Sequence, residues 1–132
     1  MSQENVERLR AFWERWTPGE PPDLSFLDPD FTYEDTILPD HVGETYRGQE
    51  GLLRALDRWL EVWEELTIDL DEIIGSGDRL VSVHTSRGKM RHTGIEFVSP
   101  LAYAWTLRGE RVVHLKSFLS KQEALEAVGL RE

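Results

Sequence analysis

The sequence predicts an α+β fold in which helices cover one face of a mostly antiparallel sheet. Three observations carry this expectation. An amphipathic helical period opens the chain, a second occupies its middle, and four strand-like segments separated by turns follow in succession. A sheet curled around helices leaves a pocket at its open end.

Between residues 2 and 16, Val6, Leu9, Trp13 and Trp16 recur at spacings of three, four and three with Phe12 beside them, which is one stripe of an amphipathic helix. Residues 17–22 contain three prolines and a glycine and end it. Pro22 suits a first helical position and Pro29 is a stop, so a short second helix is expected over residues 23–27. Residues 31–36 read as the first strand. Residues 37–48 carry Pro39, Asp40, Gly43 and Gly48 without a sustained period, and read as a loop able to line or cover a site. The second main helix is expected over 49–65, where Leu52, Leu53, Leu56, Trp59, Leu60 and Trp63 repeat at three and four residues. Strands are expected over 66–74, 79–87, 95–107 and 111–119, an antiparallel meander whose turns include Gly75 to Asp78 and Arg108-Gly109. Ser120 and Glu123 make a capping-box pattern ahead of Ala124, Leu125, Val128 and Gly129, so a short helix closes the chain.

With 132 residues, 39% hydrophobic and 30% charged, the chain suits one domain over residues 1–132 and is too short for two independent cores. The mean hydropathy of -0.46 argues against a membrane chain, and the polar, acidic N-terminus argues against a secretory signal, so a cytoplasmic location is expected. A formal charge of -10 repels nucleic-acid phosphates and anionic lipid, so neither is an expected partner. The absence of cysteine removes disulfides, thiolate metal sites and cysteine nucleophiles together. No two histidines stand at the i, i+4 spacing of a zinc helix, and neither a metal nor a cofactor is expected.

One side chain breaks the apolar pattern. In an extended chain Asp35 points the same way as Phe31 and Tyr33, while Glu34 points away. A carboxylate without a partner in an apolar cavity costs several kcal/mol to ionise, which raises its pKa toward the range of a general base.

Four segments carry a resemblance to a known family. They are Leu27-Asp28-Pro29-Asp30-Phe31 before the first strand, Tyr46-Arg47-Gly48-Gln49-Glu50-Gly51 at the second helix, Ala104-Trp105-Thr106-Leu107-Arg108-Gly109 at the last hairpin, and residues 123–130 at the end. In this order and spacing the chain resembles the SnoaL-like branch of the nuclear transport factor 2-like superfamily, which includes ketosteroid isomerase and limonene epoxide hydrolase. The resemblance implies a cystatin-like cone of helices and strongly curved sheet around an apolar pocket, dimeric through the outer sheet face. It leaves the reaction open, because this superfamily holds isomerases, cyclases, hydrolases, dehydratases and non-catalytic binders.

The same resemblance places Asp35 at the general-base aspartate of ketosteroid isomerase, whose oxyanion hole is a tyrosine and a protonated acid. Those helper positions fall here near Phe12 and on Ala102 or Tyr103, and of these only Tyr103 can donate a hydrogen bond. Losing one such donor commonly costs about 3 to 4 kcal/mol of transition-state stabilisation, so Tyr103, Tyr46, His84 and Trp105 are the candidate replacements. In residues 80–87 either Leu80, Ser82, His84 and Ser86 or Val81, Val83, Thr85 and Arg87 face the cavity, and the resemblance favours the first set. His84 then stands opposite the base, where it can donate to an enolate oxygen or hold a water. His41, His92 and His114 read as solvated, as do Lys89 and Arg91.

The expected site therefore has Asp35 and His84 as catalytic groups and Phe12, Trp16, Tyr33, Tyr46, Trp59, Trp63, Tyr103 and Trp105 as the substrate-binding wall. Its ligand is expected to be a small apolar or carbonyl-containing molecule. The leading expectation is proton transfer of isomerase, cyclase or lyase kind. A non-catalytic apolar-ligand binder or dimerisation module comes second, and water activation of epoxide-hydrolase type comes last because its arginine and paired aspartates have no counterparts here.

Overall fold

The sheet determines where everything else sits. A computed structural model describes residues 2–15, 24–35, 44–76 and 78–129. In chain order its elements are α1 (Ser2–Arg15), β1 (Leu27–Asp35), β2 (Glu44–Arg47), α2 (Gly48–Val62), β3 (Trp63–Ser76), β4 (Arg79–Met90), β5 (Glu96–Arg108), β6 (Arg111–Phe118) and α3 (Lys121–Ala127). The six strands form one sheet in the order β2-β1-β6-β5-β4-β3. All neighbours are antiparallel except β1 and β6, which run parallel.

Alternation along the strands divides the sheet into two faces. Phe31 and Tyr33 of β1, Leu80 of β4, and Leu101, Tyr103, Trp105 and Leu107 of β5 turn to the main core, which α1 and α2 cover with Leu9, Leu52, Ala55 and Trp59. Val81, Ala102, Ala104 and Phe118 turn the other way and are covered by Ala124, Leu125 and Val128 from α3 and its end. The register of β3 against β4 shifts between Leu70 and Glu72, leaving Asp71 as the extra residue. That bulge reverses the parity, so Ile68 and Ile73 pack on the same core despite their odd separation. Gly88 marks a second tight place: a Cβ there would lie 2.6 Å from the Glu65 carbonyl and 2.6 Å from the Phe97 ring. The bare backbone lets Phe97 stack on Trp63 at 4.3 Å.

The helix at the start, the meander of β3 to β6 and the capped helix at the end follow the sequence expectations. The Ser120 side chain accepts from the Glu123 N–H, as its capping-box pattern requires. Four expectations need correction. The short helix over 23–27 does not form across the described residues, because Leu27 N donates to Leu24 O in a single turn and Val112 N donates to Phe26 O, which draws Leu27 into β1. Strand β1 therefore starts four residues earlier than the expected Phe31, and the expected end, Thr36, lies outside the described residues. The loop over 37–48 contains β2, whose four residues pair with Thr32 to Asp35 and are too few to show a period. Finally, α2 stops at Val62 rather than residue 65. Trp63 takes extended dihedrals (φ -108, ψ 132) and pairs with Met90, so tertiary pairing overrides the i, i+4 match of Trp59 and Trp63.

Candidate active site

Where α1 and α2 lie over the inner sheet face, they leave an apolar cavity. It is lined from α1 by Phe12 and Trp13, from the turn before β1 by Leu24 and Phe26, from α2 by Leu52, Ala55, Leu56 and Trp59, and from the sheet by Leu27, Tyr33, Asp35, Ile68, Tyr103, Trp105 and Leu115. Its free space is about 680 Å³ with the mouth included, of which about 50 Å³ admits the centre of a water molecule. The wall is strongly aromatic, with Trp13 stacked on Tyr103 at 5.4 Å and Phe12 edge-on to Trp13 at 5.3 Å.

Asp35 is the one charged side chain among the described residues of this lining and is only 3% exposed. It ends β1 on the inner face, because Phe31, Tyr33 and Asp35 share one parity. Glu34 takes the other face, 3.4 Å from Lys116 and 3.8 Å from His114, and His114 Nδ1 lies 2.7 Å from Thr32 Oγ1. The two carboxylates are sorted by strand alternation alone.

Two phenols share the cavity with Asp35. Burial pushes the Tyr103 hydroxyl far above its ordinary value, and the Asp35 charge pushes in the same direction. Tyr33 is likewise raised, by burial first and then by the charges of Tyr103 and Asp35, against a hydrogen bond with Ser117. Both phenols therefore keep their protons at neutral pH and present O–H donors.

His84 lies beneath this wall and is 1% exposed, its ring 4.2 Å from Trp13 and 5.5 Å from Tyr103. It packs behind the lining residues. Its Nε2 lies 2.9 Å from Ser82 Oγ, which accepts from Trp105 Nε1 at 2.8 Å. Ser82 Oγ and His84 Nε2 pair in either direction, according to which ring nitrogen, Nε2 or Nδ1, carries the hydrogen. The Nδ1 atom has no hydrogen bond among the described residues. Burial holds the imidazole down at about 4, opposed by the Asp71 charge and the Asp69 backbone carbonyl.

This histidine gives the fold a testable acid sensitivity. Between its unfolded pKa of about 6.5 and its folded value of about 4, the unfolded chain binds a proton that the folded chain refuses. Stability therefore rises with pH across that window and is lost on acidification, by about 3 kcal/mol for this group. His84→Gln is expected to improve relative to the parent chain as urea midpoints are measured from pH 7 down to 4.5. A pH-independent difference between the two would show that His84 is not held neutral.

Of the other expected site residues, Phe12, Tyr33, Trp59, Tyr103 and Trp105 line the cavity, whereas Tyr46 and Trp63 do not. Tyr46 stacks near Tyr33 at 6.1 Å and its hydroxyl accepts from Arg58 Nη1 at 3.2 Å, while Trp63 pairs with Phe97. Trp16 and His41 lie outside the described residues. Phe26 and the Ser82 relay escaped the sequence reading. Phe26 sits in a non-periodic turn, and the parity of Ser82 with His84 indicated only its face. Among the described residues no group of three or more His, Asp or Glu is arranged to hold a metal ion, and no helix is long and apolar enough to cross a membrane.

Comparison with known proteins places this geometry in a lineage. The family model for the SnoaL-like domain matches residues 4–115. The chain is similar to an NTF2-like protein of unknown function from Burkholderia pseudomallei, with 22% identity, 96% of this chain and 97% of the other covered, and a TM-score of 0.78. It is similar to a Catenulispora acidiphila protein of ketosteroid isomerase-like fold solved in complex with trimethylamine, with 21% identity, coverage of 99% and 96%, and a TM-score of 0.69. A protein from Jannaschia, to which the role of a SnoaL-like polyketide cyclase has been ascribed, shares 19% identity over 99% and 95% of the chains at a TM-score of 0.73. No curated protein matches the chain significantly.

Proposed function

Because the chain belongs to the SnoaL-like domain family, we propose that it is a small-molecule enzyme in which Asp35 removes a proton next to a carbonyl group of an apolar substrate. The carrying observation is the 3% exposed Asp35 carboxylate in an aromatic cavity that also holds two protonated phenols. The Asp35 carboxylate takes the α-proton and becomes a carboxylic acid. Negative charge moves to the carbonyl oxygen, which accepts a hydrogen bond from the Tyr103 hydroxyl. Asp35 then returns the proton to a different carbon, as an isomerase does, or the enolate expels a leaving group, as a lyase does. The role ascribed to the Jannaschia protein supports a cyclase variant, in which the enolate carbon attacks a second carbonyl of the same molecule.

The test uses an enolisable apolar ketone, 2-tetralone, in deuterium oxide. The parent chain is expected to exchange its α-protons faster than buffer alone, and exchange at the buffer rate would remove the catalytic reading. A non-catalytic binder would instead hold the ketone without exchange and keep its affinity in Asp35→Asn. For assembly, a homodimer through the outer sheet face is the reading to test by sedimentation. The expected mass is twice the 15.3 kDa of one chain, and a monomer at micromolar concentration would end it.

A further inference from the structure

We propose that the Asp35 cavity also binds hydrophobic ammonium ions, with the Asp35 carboxylate as counter-ion and the aromatic wall as the second partner, so that such cations compete with the carbonyl substrate. The inference rests on the reading above only in taking this cavity as the ligand site.

Three observations converge on it. Among the described lining residues Asp35 is the one charged group, and none of them is Lys, Arg or His. Seven of the lining side chains are aromatic, among them Trp13, Trp59 and Trp105, and the negative face of an indole or phenol ring attracts a cation most strongly where water is excluded. The whole chain carries -10, which concentrates cations and repels anions at its surface.

A quaternary ammonium suits these features better than a primary one. It has no N–H groups to satisfy, its hydration shell is weakly held, and its methyl surface matches an apolar wall, so the carboxylate and rings replace the water it loses. An anion of the same shape would lose its hydration beside a carboxylate of like charge. The cavity thus discriminates by the sign of charge as well as by shape.

The experiment compares three solutes of closely similar shape on the full chain: choline, 3,3-dimethylbutan-1-ol and 3,3-dimethylbutanoate. Binding is followed by the indole N–H resonances and by calorimetry at pH 7.5. Choline is expected to bind at least tenfold more tightly than the neutral alcohol, the carboxylate is expected to bind weakest, and Asp35→Asn is expected to bring choline level with the alcohol. Equal binding of choline and alcohol by the parent chain overturns the proposal without any variant. A preference that survives in folded Asp35→Asn overturns the role of Asp35. The 2-tetralone assay separates the two readings. A chain that binds choline and exchanges nothing keeps this inference and loses the enzyme, and one that exchanges 2-tetralone unaffected by choline keeps the enzyme and loses this inference.

Discussion

Asp35→Asn is expected to lower α-proton exchange by about 10²- to 10⁴-fold, the range that a positioned general base contributes. The substitution preserves the shape of the side chain and removes its ability to take a proton, because an amide oxygen is far too weak a base at neutral pH. Stability at neutral pH is expected to change little at the phenols, because both stay protonated with or without the Asp35 charge. The measurement is the NMR exchange rate at saturating 2-tetralone, with thermal unfolding as the control for folding. An undiminished rate in a folded variant would move the base elsewhere in the cavity. Asp35→Glu offers a further check, because a carboxylate displaced by one methylene should recover part of the rate and none of it if only volume mattered.

Tyr103→Phe is expected to cost about 10²- to 10³-fold in kcat with a nearly unchanged KM, equivalent to about 3 to 4 kcal/mol of transition-state stabilisation. The ring remains, so its stack on Trp13 at 5.4 Å and the cavity outline persist. What disappears is one O–H donor whose proton burial keeps in place. A hydrogen bond to a neutral ketone is worth less than one to the developing enolate, which is why the loss should fall on kcat. A rise in KM at constant kcat would make Tyr103 a binding residue. Tyr33 is likewise a protonated phenol, hydrogen-bonded with Ser117, and Tyr33→Phe measured in the same way reports whether it acts as a second donor.

Much of this arrangement was legible in the chain. The inward aim of Asp35 follows from three alternating residues in a regular strand, and the opposite aim of Glu34 follows with it. Tyr103 and Trp105 line the cavity because β5 alternates from Leu101 to Leu107 on the inner face, a pattern visible in the sequence. Less legible was everything that depends on distant pairing. Strand β2 is four residues long and exists because β1 offers it an edge. The start of β1 is set by Val112, and the end of α2 by Met90. The bulge at Asp71 has no local signature in the sequence, yet it brings Ile68 to the cavity wall and Ile73 to the same core. The inward parity of His84 is local to β4, whereas its place behind Trp13, bonded to Ser82, depends on how α1 crosses the sheet.

The parallel pairing of β1 with β6 also governs when the site can exist. Thr32 and His114, side by side across that ladder, are 82 residues apart in sequence. The β3 to β6 hairpins close over short turns, so they can form early, whereas the β1 contact must wait for a long loop to close. Asp35 therefore reaches its final place only after β6 is available, and a growing chain carries this carboxylate in an unfinished, water-filled setting until that strand has been made. Completion of the pocket is expected late in folding, and amide protection at β1 in pulse-labelled refolding should appear after protection of β4 and β5.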